Sequence, residues 1–176
     1  MELRDKDGLT EREFLAGYSS DKYPKPSLTA DVAVFSREGE TLRLLLIRRG
    51  NHPCLGQLAL PGGFANKNEP LEQTAARELL EETGVSDVPL RLVGVFSKPG
   101  RDPRGWTVSA AYATVVDASR VTVQAGDDAA DAQWYDVVRG GDILLRRGTE
   151  VISLRDGVGL AFDHADIIRS ALEQIG

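Results

Sequence analysis

The sequence predicts an α/β (α+β) domain, a mixed β-sheet with helices packed on its faces. Three observations carry this. Apolar or small residues alternate in several short segments separated by turn residues, the pattern of strands. Two segments, at about 70–83 and after Asp163, instead carry the helical period. The chain has 176 residues, a length that suits one domain around a single core. Residues 1–28 are expected to form a helix and arm belonging to that domain, and 29–176 its body.

The elements follow in order. Thr10 and Glu13 have the spacing of a capping box, with Leu9 and Phe14 placed as a hydrophobic staple, so a short helix is expected at about 10–16. Tyr23-Pro24-Lys25-Pro26 reads as an extended arm, because each proline disfavours helix in the residue before it. Thr29 to Phe35 and Leu42 to Ile47 read as strands around a turn at Glu38-Gly39-Glu40. Leu58 to Leu60 is a short apolar piece before the breaker Pro61-Gly62-Gly63. Pro70 at the first helical position and Gly84 just past the end frame the first long helix. Further strands are expected at Leu90 to Phe96, Thr107 to Val116, Val121 to Val123, Gln133 to Tyr135 and Glu150 to Leu154. Asp163 is placed to cap the last helix, with Phe162 and Ile167 as its staple and Ile168, Ala171, Leu172 and Ile175 along one apolar face.

Composition narrows the function classes. Lys and Arg number 21 against 27 Asp and Glu, a net charge of −6, so general affinity for nucleic acid is not expected. No apolar run is long enough to span a bilayer, and the polar N-terminus is unlike a signal peptide. The lone Cys54 cannot form an internal disulfide, which together with that N-terminus gives a cytoplasmic expectation. One cysteine and two histidines also argue against a structural zinc site.

The chemistry lies between 63 and 85. On a helix at about 100° per residue, Ala76, Leu79, Leu80 and Thr83 fall on one side. Glu78, Glu81 and Glu82 gather on the other. Three close carboxylates repel, and those in the last turn also oppose the helix dipole. A hard divalent cation removes both objections, and Mg²⁺ favours oxygen ligands while keeping waters and substrate phosphates in its shell. Mn²⁺ would accept the same ligands. Gly62 and Gly63 allow close backbone approach, and Arg77 is placed to pair with Glu69 or Glu81.

Gly63, Glu69, Arg77-Glu78-Leu79, Glu81-Glu82 and Gly84-Val85, at this spacing, resemble the Nudix box at every defined position. The resemblance implies a Nudix-type α/β/α sandwich around a mixed β-sheet. It also implies hydrolysis of a nucleoside diphosphate linked to another group. Carried over by position, it makes Glu78, Glu81 and Glu82 metal ligands with the Gly63 carbonyl, and Glu69 and Arg77 supports. Glu82 is the first candidate for general base, then Glu81. An acidic loop beyond the box, Gly126-Asp127-Asp128, offers Asp128 or Asp127 as another.

Lys98 to Trp106 gathers three cations and an indole among turn residues. Arginine forks suit phosphate and aromatic faces suit bases. Arg101-Asp102-Pro103-Arg104-Gly105, the strand with Ser109, Ala110 and Tyr112, and the ending Leu160 to His164 resemble the ADP-ribose pyrophosphatase branch. This implies ADP-ribose as substrate and AMP and ribose 5-phosphate as products. Other nucleotides (nucleotide sugars, NADH, dinucleoside polyphosphates, triphosphates) are the alternatives. Arg48, Arg49, Arg101 and Arg104 are candidate phosphate or ribose contacts. Phe64 and Trp106, with Phe96 and Tyr112, are candidate stacking faces. His52 and His164 are expected as polar contacts. A homodimer is a further expectation, with the arm around Tyr18 to Pro26 as the exchanged segment. The rival is a non-catalytic ADP-ribose-sensing regulator, whose winged helix finds no match after Trp134.

Overall fold

The computed structural model describes residues 2–118 and 129–176. The expected strand Val121 to Val123 and the loop with Asp127 and Asp128 lie outside the described residues. Three helices are described: α1 (Glu11–Gly17), α2 (Leu71–Thr83) and α3 (His164–Ile175). The strands described are β1 (Ser27–Glu38), β2 (Thr41–Arg49), β3 (Leu58–Ala59), β4 (Gly62–Phe64), β5 (Arg91–Phe96), β6 (Thr107–Val116), β7 (Ala129–Arg139), β8 (Ile143–Arg147) and β9 (Glu150–Ser153). Among the described residues, no helix is long and apolar enough to cross a membrane.

The strands form one mixed sheet in the order β5-β6-β1-β2-β7-β8-β9, with β3 added to β2 and β4 to β1. β1 and β6 run parallel over ten paired positions, from Ser27 with Thr107 to Ser36 with Val116. The other strand pairs are antiparallel. β1 is buried on both faces, as a central strand must be. Ala33 and Phe35 join one apolar layer with Ile167, Ile168, Ala171 and Leu172 of α3. Ala30, Val32 and Val34 join the other with Ala75 and Leu79 of α2. The result is the expected α/β/α sandwich, with an apolar layer on each face of the sheet where sequence length had suggested a single core. Each fully buried Ile or Leu in these layers contributes roughly 1.5–3 kcal/mol.

The local signals work as their chemistry requires. Thr10 and Glu13 form the capping box of α1. Gly84 closes α2 in the left-handed conformation, φ 74°, and its N–H reaches the Leu80 carbonyl at 2.9 Å. Pro70 is the cap residue of α2 and not its first helical residue. Three differences matter more. Gly62 and Gly63 of the expected breaker Pro61-Gly62-Gly63 belong, with Phe64, to the strand β4. It pairs with Thr29 to Asp31, an approach open only to glycine at 62, where an added Cβ would lie 2.3 Å from the Ala30 carbonyl. The strand β8, absent from the sequence reading, carries no apolar alternation. Asp163 occupies the cap position of α3 but makes no side-chain cap bond. Its carboxylate is bound elsewhere.

Candidate active site

The glutamate ridge is where the projection errs most usefully. The buried side of α2 is Thr74, Ala75, Leu79 and Thr83. Ala76 and Leu80 are exposed, while Glu78 and Glu82 are half-buried beside the core and only Glu81 faces water. The reason is β4. Neither Gly62 nor Gly63 has a side chain, so the helix can press its glutamates against that strand. An added Cβ at Gly63 would sit 2.5 Å from the Glu78 carboxyl, and one at Gly62 2.7 Å from Oδ1 of Asp31. The Gly62 N–H donates to Oε2 of Glu82 at 2.8 Å.

Arg77 ties the ridge together. Its guanidinium donates through Nε and Nη2 to the two oxygens of Glu69, at 2.9 and 3.0 Å. Nη1 reaches Glu78 at 2.6 Å and Glu81 at 3.1 Å, and Nη2 also donates to the Phe64 carbonyl at 3.0 Å. Glu69 accepts as well from the Asn66 N–H and the Thr74 hydroxyl. Arg77 and these donors hold its carboxyl down at about 2. Glu82 is the opposite case. Burial pushes its carboxyl up to about 8, and the charges of Glu78 and Asp31 add to this. The Gly62 bond and Arg49 pull the other way. No cation pairs with Glu82 among the described residues.

No three carboxylate, imidazole or thiol groups among the described residues converge into a ready metal cage. The donor set still fits a hydrated divalent ion. A buried carboxylate without a cationic partner among the described residues and a second one packed against Gly63 offer carboxylate oxygens, donors that such an ion accepts.

Beside the ridge lies a cleft lined by Asp31, Arg49, Gly63, Phe64, Arg104 and Phe162, with Arg101, Asp102 and His164 at its walls. The expected cations are placed very differently from one another. Arg48 points away from the cleft, because neighbours on a strand face opposite sides. It is paired with Glu150 at 3.1 Å and donates to the Gly56 carbonyl at 2.9 Å. Arg101 is buried and forms a two-pronged pair with Asp163, at 2.9 and 2.6 Å. Arg104 is paired with Asp102, at 3.0 Å through Nε and 2.7 Å through Nη2. Arg49 alone of the four has no carboxylate partner among the described residues. Its Nε donates to the Pro53 carbonyl at 2.8 Å.

Of the aromatic candidates, Phe64 lines the cleft. Trp106 does not. It is 57% exposed, and its carbonyl accepts from the Ser27 N–H at the head of β1. Tyr112 is buried in the sheet and Phe96 packs on the α3 layer, so both serve the core. His52 is exposed.

Asp31 escaped the sequence reading, while His164 is the polar contact expected there and Phe162, read as a helix staple, lines the cleft instead. Asp31 is 7% exposed and accepts a hydrogen bond from the Ser109 hydroxyl. Its Oδ1 lies 3.6 Å from Nε2 of His164, and its Oδ2 3.8 Å from Arg101. His164 is buried, and its Nδ1 accepts from the Leu60 N–H at 2.9 Å. Burial holds its pKa below the usual range, and its Nε2 faces the Asp31 carboxylate. Phe162 presents its ring to the cleft from a backbone at φ 54°. A carboxylate inside an otherwise apolar strand was the one available signal for Asp31.

Comparison with known proteins agrees with this architecture. The NUDIX domain model matches residues 25–146, and the chain belongs to the Nudix family. It is 38% identical over 127 residues to the ADP-ribose pyrophosphatase of Methanocaldococcus jannaschii, covering 72% of this chain and 64% of that one. It is 32% identical over 168 residues to the ADPR responsive transcriptional repressor NtrR of Acinetobacter baylyi, covering 94% of this chain and 61% of that one. The chain thus spans somewhat under two thirds of the length of these two relatives. Among solved structures it resembles the NUDIX domain of Shewanella oneidensis NrtR complexed with ADP ribose. That likeness has a TM-score of 0.75 at 31% identity and covers 96% of this chain and all of the other. A MutT/nudix family protein from Enterococcus faecalis is similar with a TM-score of 0.84 at 36% identity, covering 95% of this chain and 70% of that one.

Proposed function

We propose that the protein hydrolyses ADP-ribose to AMP and ribose 5-phosphate in the presence of a divalent metal ion. The observation that carries this reading is the glutamate ridge pressed onto Gly62 and Gly63, the two residues that also line an arginine-bearing cleft. The relatives named for ADP-ribose support the choice of substrate.

Glu78, Glu81, Glu82 and the Gly63 carbonyl would hold Mg²⁺ or Mn²⁺. The ion supplies neutralisation of the charge on the phosphoryl oxygens. Arg49, the unpaired guanidinium, binds the diphosphate, because a charge-assisted fork on phosphate is strong and directional. Arg77 and Glu69 keep the ridge aligned. A water oxygen attacks one phosphorus, the P–O bond to the bridging oxygen breaks, and the bridging oxygen leaves on the other phosphate. Glu82 takes the water's proton at Oε1, since its Oε2 already accepts from Gly62. Glu81 and Asp128 remain the other candidates for that proton.

Incubation with ADP-ribose and Mg²⁺ should yield equimolar AMP and ribose 5-phosphate, and EDTA should stop the reaction. Rapid turnover of a triphosphate with ADP-ribose untouched would overturn the substrate and leave the reaction class. Arg49→Ala should raise KM for ADP-ribose about 10- to 100-fold, the loss of a charged hydrogen bond. Arg48→Ala should leave KM within about twofold, since its partner is a carboxylate outside the cleft. Equal effects of the two in steady-state kinetics would refute this assignment of the cations.

A second reading has its own support, the similarity over nearly the whole chain to an ADP-ribose-responsive repressor. On it the same cleft binds ADP-ribose without turnover. Tight binding with no AMP after prolonged incubation in Mg²⁺ selects it. The exposed rings of Tyr18 and Tyr23 in the arm, beside exposed Leu9, Phe14 and Leu15 at the preceding helix, support the expectation of a homodimer.

A further inference from the structure

The geometry points to Phe162 as the residue that positions the cleft's arginines for the diphosphate, an inference that rests on the proposed hydrolysis. Four non-glycine residues among those described have positive φ, and two of them are Asn68 and Asp87, which tolerate it. A phenylalanine at φ 54° is strained, and such strain persists only where the surroundings impose it. Here it turns the ring into the cleft between the end of the Leu58–Leu160 bridge and the start of α3.

The ring meets both guanidinium groups, Arg104 being fixed as well by Asp102 and Arg49 lacking any such carboxylate among the described residues. The Arg49 guanidinium carbon lies 5.0 Å from its centroid and that of Arg104 5.4 Å. Arg104 also lies 4.6 Å over Phe64, so it is held between two rings. The His164 ring is 5.5 Å away on the opposite side of Asp163 in sequence. Two cations near one another repel, and the negative face of an aromatic ring offsets part of that cost. Apart from the ring, Arg49 is held by its one bond to Pro53, which fixes Nε and leaves the rest of the fork to the ring. Phe162 touches no reacting atom; it acts through the two arginines.

The test uses Phe162→Leu, Phe162→Tyr and Phe162→Gly in the full chain. Phe162→Leu should raise KM for ADP-ribose about tenfold, the loss expected for two exposed cation–π contacts, with kcat within about threefold. Phe162→Tyr should restore KM. Phe162→Gly adopts the left-handed backbone freely, so its KM should rise as much while Tm does not fall below that of the Leu variant. Independently of any substrate, the Nε–Hε NMR signals of Arg49 and Arg104 should move in the Leu and Gly variants and stay in the Tyr variant, with that of Arg48 unchanged in all three. Unmoved signals overturn the inference, as does an unchanged KM or a fall in kcat alone. If the wild type does not hydrolyse ADP-ribose, the proposed function fails, and the arginine signals still decide the role of Phe162. If the Leu variant does not fold, the Gly and Tyr variants make the same comparison.

Discussion

Replacing Glu82 by glutamine is expected to lower turnover of ADP-ribose by about two to four orders of magnitude, the usual contribution of a positioned base. The same change should make the metal-free protein more stable at pH 8. In the folded chain burial and the neighbouring Glu78 and Asp31 raise the Glu82 carboxyl to about 8, against an ordinary 4.5. Between those values the folded state holds a proton that the unfolded state has released. Stability of the metal-free protein therefore falls as pH rises from about 4.5 to about 8, by on the order of a few kcal/mol, and levels off above. Glutamine cannot titrate, so the variant should show this fall only to the extent that other groups contribute. Thermal melts in EDTA at pH 5 and pH 8 measure it. The gap in Tm between the two pH values should be larger for the wild type, and Mg²⁺ at pH 8 should narrow it for the wild type alone. Identical pH profiles for the two proteins would show that Glu82 is not the buried uncompensated charge.

The second large effect separates two adjacent glycines. Gly63→Ala puts a methyl group within 2.5 Å of the Glu78 carboxyl, the far end of a flexible side chain. Glu78 should swing aside, so the Mg²⁺ concentration for half activation should rise about 10- to 100-fold with Tm nearly unchanged. Gly62→Ala meets backbone instead, at 2.3 Å from the Ala30 carbonyl and 2.8 Å from the Asp31 Cα. Nothing there can rotate away. The pairing of β4 with β1 should fail locally, at about 1–3 kcal/mol or more, lowering Tm by roughly 5–10 °C. A Gly62→Ala protein that melts with the wild type, or a Gly63→Ala protein with ordinary Mg²⁺ activation, would contradict this division of labour.

What the sequence made legible was local. The box helix declares itself through its own period, its leading proline and Gly84, and the capping box at Thr10 is a four-residue signal. Which way the glutamates face was not legible, because it depends on Gly62 and Gly63, in a strand well before the helix, being free of side chains. Nor was the fate of the arginines. Arg48 and Arg101 look alike as cations in a sequence, and only the fold shows them neutralised by Glu150 and Asp163. Asp31, Phe162 and His164 became site residues through long-range pairing: β1 with β6, and Leu58 with Leu160. A helix period or an alternation of strands carries no trace of such partners.

The Leu58–Leu160 bridge also sets an order of events during synthesis. The Leu58 carbonyl accepts from Ala161, and the Leu60 N–H is met by His164, so the strand leading into the glutamate helix is completed by residues made about a hundred positions later. Loop closure over that distance is slow relative to forming the helix itself. A nascent chain can therefore carry the acidic ridge well before it carries the wall holding Phe162 and the Arg101–Asp163 pair. Until that wall arrives the ridge has no cleft to serve, and a ribosome-bound fragment ending before residue 160 should be inert toward nucleotides.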